Sequence, residues 1–89
     1  MLKISQIGSG NHSVTLRLEG RMVGPWVNEA RETCEKFLGE GRKVKLNLAE
    51  VSFVDQDGVK FLADLVSRGV KLAGCSLFVE EQLKSAAVG

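Results

Sequence analysis

Apolar and polar residues alternate along some stretches of this chain and recur at helical spacing along others. In "SVTLRLEG", Val14, Leu16 and Leu18 fall on one face and Thr15, Arg17 and Glu19 on the other. That period of two predicts a half-buried strand. "LKISQI" (Leu2 to Ile7) reads as a weaker strand before it, and Gly8 to Asn11 supplies turn chemistry, because glycine and asparagine tolerate positive φ. The pair reads as an antiparallel hairpin. A second alternating strand follows in "KVKLNLAEV", with Val44, Leu46 and Leu48 opposed by Lys43, Lys45 and Asn47. "VKLAGC" predicts a short last strand.

Three segments carry helical spacing instead. Gly24-Pro25 opens the first, since proline fits a first helical turn where its missing N–H costs nothing. Val27, Ala30, Cys34, Phe37 and Leu38 make its apolar stripe, and Gly39 and Gly41 end it. The second runs from about Gln56 to Arg68, with Val59, Leu62, Ala63 and Val66 as the expected inner face and Gly69 as its stop. Ser76 is a suitable N-cap for a third, roughly Leu77 to Ala87.

The order is β-β-α-β-α-β-α, which predicts a single small α/β domain over residues 1–89. Its middle reads as two βαβ crossovers, so the last three strands are expected to be parallel. Alternating strands differ from the continuous apolar runs of a sheet covered on both sides. The helices should therefore lie mainly on one face. Right-handed crossovers that keep to one face step in one direction, giving a mixed four-stranded sheet of order 1-2-3-4 with the first strand antiparallel.

Composition narrows the function. The chain has 89 residues and a net charge of +1, with no basic run interleaved with aromatics, so nucleic-acid binding has little electrostatic support. No apolar run approaches the ~20 residues of a membrane span, and "MLKISQIGSG" lacks a signal-peptide core. The expectation is a cytoplasmic protein without direct membrane insertion. Cys34 and Cys75 are far apart in sequence and read as free thiols.

The chemistry-bearing stretch is "NLAEVSFVDQDGVKFL", where Asp55 and Asp57 flank Gln56 just ahead of Gly58, at a strand-to-helix junction. Four readings compete. Asp55 can be an N-cap accepting from the N–H of Asp57 or Gly58, with Asp57 near the positive end of the helix dipole. A calcium loop lacks its third ligand before the glycine and its glutamate after it. Acid–base catalysis needs two carboxylates in different environments. No serine, cysteine or histidine stands in a nucleophile arrangement, and His12 lies alone in a turn. No phosphate-binding glycine motif links a strand to a helix. The fourth reading is a regulated surface, since a helix N-terminus welcomes an anion.

"VKLNLAEVSFVDQDGVKFLADL" resembles the STAS domain, the family of sulfate transporters and anti-sigma factor antagonists. Val51, Phe53, Val54, Asp55 and Gly58 match the family's strand, polar turn and helix start. "TLRLEGRM" resembles its second strand, and "GVKLAGCS" the strand that leads into its last helix. The resemblance covers nearly the whole chain and implies a non-enzymatic regulator with no cofactor and no metal. The chain ends soon after the last helix, so a C-terminal element of the family is expected to be reduced or missing.

In members that regulate sigma factors, the residue before the glycine is the serine or threonine that a partner kinase phosphorylates. Here that position is Asp57, and Gln56 replaces the family's other serine. A carboxylate accepts no stable phosphoester. It carries about one negative charge where a phosphoserine carries −1.5 to −2. The resemblance implies partner binding through Asp55, Gln56, Asp57, Gly58, Lys60, Phe61, Asp64 and Arg68. The partner would be an anti-sigma factor or serine-kinase-like protein or, in the alternative, the ATPase complex of a membrane transporter that this chain serves as accessory subunit. Pairing with a second copy stays open. Phe61 is either an exposed anchor or a widening of the buried stripe together with Leu65. Trp26 is either a core lid or a hot spot. Arg17, Lys43, Lys45 and Lys71 form a basic stripe on the open sheet face, which reads as solvated surface diluted by Glu19. Nucleotide or anion binding at the second helix N-terminus is disfavoured by the charge of Asp57.

Overall fold

In a computed structural model, the described residues are 2–75, 77 and 79–82. Strand β1 (Leu2–Ser9) pairs antiparallel with β2 (Ser13–Met22) across a turn closed by the Gly10 N–H donating to the Ser13 carbonyl at 2.9 Å. Helix α1 (Pro25–Gly39) crosses to β3 (Lys43–Val54), which lies parallel to β2. Helix α2 (Gln56–Ser67) then crosses to the three-residue strand β4 (Lys71–Ala73), parallel to β3. The sheet order is β1-β2-β3-β4, as the stepping argument requires. Residues 77 and 79–82 are helical. The proposed cap Ser76 and the expected end of that helix at Ala87 lie outside the described residues.

One face of the sheet holds the core. Val14, Leu16 and Leu18 of β2 and Val44, Leu46 and Leu48 of β3 are buried. They join Val27, Ala30 and Cys34 of α1 and Leu62 and Leu65 of α2 in a single cluster that also takes in Val79. Lys43 and Lys45 on the opposite face are exposed. Trp26 packs partly buried against the cluster, as a lid.

Strand β3 runs three residues beyond the end that alternation predicts at Val51. Its pairing with β2 shifts twice, between Arg17 and Glu19 and between Gly20 and Arg21. At each shift β3 carries the extra residue. A bulge of this kind bends the strand and resets which side chains face inward. Val51 and Val54 therefore return to the core at intervals of three rather than two. In β1 a shift between Gln6 and Gly8 leaves Ile7 unmatched and exposed.

The inner face of α2 differs from the expected one. Gly58, Val59, Phe61, Leu62 and Leu65 are buried, whereas Val66 is 50% exposed. Positions 58, 61, 62 and 65 follow the i, i+3, i+4, i+7 stripe. Gly58 has no side chain, so it seats the first turn against the sheet and turns Phe61 and Leu65 inward.

Candidate functional site

The junction between β3 and α2 is organised by one carboxylate. Asp55 is the N-cap of α2, with extended backbone at φ −81° and ψ −178°. Its Oδ1 accepts from the Gly58 N–H at 2.8 Å, the cap bond expected of aspartate at this position. Its Oδ2 accepts from the Gly24 N–H at 2.9 Å. Gly24 is the N-cap residue of α1 at φ 51°, a left-handed conformation that favours glycine, and it makes no side-chain cap. One side chain thus ties the starts of both helices together. The Asp55 N–H donates to the Met22 carbonyl at 3.0 Å, closing the end of β2 into the same knot.

Gly58 is required by close approach. A Cβ built there would lie 2.6 Å from Val54 Cγ1 and 3.0 Å from the Met22 carbonyl oxygen. The D-x-x-G spacing therefore has a packing reason: the aspartate caps, and the glycine lets the capped turn settle on the strand ends.

Asp57 is the contrast. It lies exposed in the first turn of α2. Among the described residues its carboxylate has no hydrogen-bond or ion-pair partner. Gln56 and Lys60 are exposed beside it in sequence. Further along the helix, Asp64 and Arg68 are exposed and 3.6 Å apart. Arg68 also pairs with Glu35 of α1. The Glu35 hydrogen bond, more than the charge of Asp64, holds the Arg68 guanidinium above its ordinary pKa.

The structure divides the eight expected docking residues into two groups. Gln56, Asp57, Lys60, Asp64 and Arg68 form the exposed side of α2. Asp55 and Gly58 serve the fold, with the carboxylate oxygens of one bonded to backbone amides and the other buried. Phe61 is corrected: it is 2% exposed and cannot anchor a partner. The Arg31 guanidinium lies 5.6 Å from its ring centroid, covering it from the α1 side.

Among the described residues, the exposed aromatic is Phe53, two residues before the cap and 37% exposed. Arg21, its register partner on β2, stands 5.6 Å from the ring centroid. Sequence reasoning used Phe53 only as a motif position. The signal that could have singled it out is the break in alternation after Leu48, which turns Val51 and Val54 inward and leaves Phe53 outward.

Asp55 and Asp57 lie in different surroundings. Both oxygens of Asp55 accept from backbone amides, and Asp57 is in solvent. No group of three His, Cys, Asp or Glu side chains that could hold a metal occurs among the described residues. No helix among them is long and apolar enough to cross a membrane.

The sequence profile of the STAS domain matches residues 4–83. The chain belongs to the STAS domain family. The STAS assignment agrees with the shape of the backbone: the anti-sigma factor antagonist SpoIIAA, solved in its unphosphorylated form, superposes with a TM-score of 0.68. The match covers 92% of this chain and 82% of that one at 19% sequence identity, and it speaks for the fold alone. No curated protein matches the chain.

Proposed function

We propose that residues 1–89 form one regulatory STAS domain, without catalytic activity, that acts in the cytoplasm by docking a protein partner on the exposed side of α2. The docking residues are Gln56, Asp57, Lys60, Asp64 and Arg68, with Phe53, two residues before the cap in sequence, as a further apolar contact. The observation that carries this reading is the division of labour between the two carboxylates. Asp55 is consumed in holding the fold. Asp57, two residues on, is presented to solvent with nothing in the described structure to hold it.

Members of the family that regulate sigma factors receive a phosphoryl group on a hydroxyl at this position. Asp57 offers a fixed charge there and no hydroxyl. Ser52, the nearest serine in the chain, lies in strand β3 rather than at the helix start, with its hydroxyl donating to the Gly20 carbonyl at 3.3 Å. The domain is therefore set in a permanently charged state, with fewer acceptor oxygens than a phosphoserine has. The resemblance to an anti-sigma factor antagonist makes a serine-kinase-like anti-sigma factor the first partner to test.

Calorimetric titration with the kinase-like anti-sigma factors of the source organism, and separately with its transporter ATPase subunits, tests the proposal. Binding that is weakened by Lys60→Glu and by Asp57→Lys, with no phosphate entering the wild-type chain, supports it. Phosphate on Ser52, or binding indifferent to both substitutions, contradicts it.

A further inference from the structure

The open face of the sheet carries two unlike charge arrangements. Toward the C-terminal end of β2, Glu19 sits 3.4 Å from Arg17 Nε and 3.9 Å from Lys3 Nζ, so the cations there are compensated. At the other end of the same face, register places Thr15, Lys45 and Lys71 in one cross-strand row, with Ser13 opposite Lys43 in the next. Among the described residues, none of these three lysines has an ion-pair partner. Like charges directly opposite each other on neighbouring strands are destabilising. Yet Lys45 and Lys71 are direct partners, and none of the eleven acidic residues is spent on separating them.

The three lysines, Ser13, Thr15 and Gly69, together with Val14 and Val44, line a groove of about 210 Å³. We propose that this groove binds a small polyvalent oxyanion of the diphosphate class, either free pyrophosphate or the diphosphate of a nucleotide. Adjacent strands lie about 4.8 Å apart, so ammonium groups on β3 and β4 can each meet one of two linked phosphates. The hydroxyls of Ser13 and Thr15 add neutral donors on the β2 side. The volume is below the roughly 300–1,000 Å³ of a drug-sized pocket. No aromatic side chain lines it, so it offers no stacking platform for nucleic-acid bases. A compact anion fits those limits better than a polymer. The groove is independent of the docking face on α2, where the Asp57 carboxylate repels phosphate.

The test is an amide-shift titration of the 15N-labelled chain at low salt with sodium pyrophosphate, ADP, orthophosphate and a hexaglutamate peptide. Saturable shifts confined to residues 13–15, 43–45 and 69–71 are expected from pyrophosphate. Binding should be about tenfold tighter than for orthophosphate, the equivalent of one charge-assisted contact. Lys45→Gln/Lys71→Gln should lose affinity by about tenfold or more on the same basis. It should also unfold at an equal or higher temperature without ligand, which shows that the loss is not misfolding. Equal binding of ADP and pyrophosphate identifies the diphosphate as the whole ligand, and tighter ADP points to a nucleotide. Absence of saturation, shifts spread equally over Lys3, Arg17 and Arg21, or tighter binding of hexaglutamate would overturn the proposal.

Discussion

The carboxylate of Asp55 accepts from Gly24 with one oxygen and from Gly58 with the other, at 2.9 and 2.8 Å. These two glycines open different helices, 34 residues apart by number, so one side chain fixes the relative position of α1 and α2 at the end of the sheet where docking is proposed.

Removing that carboxylate should unsettle the whole domain. Asp55→Ala loses an N-cap bond, about 0.5–2 kcal/mol, and a second hydrogen bond of about 0.5–1.5 kcal/mol. A net destabilisation of about 2–3 kcal/mol is expected in urea denaturation. Asp55→Asn keeps one acceptor oxygen and turns an NH2 group toward the other amide. It should therefore lie between wild type and alanine, with faster amide exchange at Gly24 or Gly58 but not at both.

Two helical glycines should respond to alanine with opposite signs. At Gly58 the new methyl meets Val54 Cγ1 and the Met22 carbonyl. Overpacking of this kind costs about 1–3 kcal/mol, more than the helix propensity gained. At Gly39 nothing lies within 4 Å of the new Cβ, so Gly39→Ala should stabilise by up to about 1 kcal/mol. Thermal unfolding of the two variants side by side checks both signs.

Much of this architecture follows from pattern alone. The alternation of β2 and β3 and the single apolar stripe of α1 lead to the sheet order and to the one-sided helical layer. What pattern does not give is phase beyond a bulge. The run from Val51 to Val54 breaks the period of two, so its strand character and the outward position of Phe53 emerge only from the pairing with Gly20 and Arg21. The inner face of α2 escapes pattern for a related reason. Apolar residues at 59, 61, 62, 65 and 66 fit two overlapping stripes. The choice between them is made by Gly58, whose close approach to Met22 is a tertiary fact. The capping role of Asp55 was legible from its spacing to Gly58, but its second bond to Gly24 spans the fold and leaves no local signal.

Cys34 should behave as a shielded thiol. Burial first, and then the charge of Glu35, push its pKa from an ordinary 9.0 to about 11, with Arg68 opposing. The folded state thus holds this proton more tightly than the unfolded chain does. Its stabilising contribution is complete below pH 9 and is lost between pH 9 and about 11. Two pKa units correspond to about 2–3 kcal/mol. The wild-type unfolding free energy should fall over that window more steeply than that of Cys34→Ala. At pH 8, Cys75, which is only partly buried, should react with a thiol reagent well before Cys34.

Phe53 should matter for docking and little for folding. It is 37% exposed, and an aromatic at the centre of an interface commonly contributes about 2 kcal/mol or more on truncation. Phe53→Ala should weaken partner binding by about tenfold or more. The same change should move the urea midpoint less than Asp55→Ala does. Equal effects on both measurements would reduce Phe53 to a structural residue.

The most direct test of a fixed charge at the docking face is the affinity of one purified partner for the wild-type chain, Asp57→Asn and Asp57→Ser, measured by calorimetry with folding verified for each. If the charge at position 57 governs docking, wild type and Asp57→Asn should differ by about tenfold or more, the scale of a close interfacial charge contact, and only Asp57→Ser should become a substrate for a kinase-like partner. Identical affinities for all three chains, with phosphate entering the wild type elsewhere on the same face, would contradict the account.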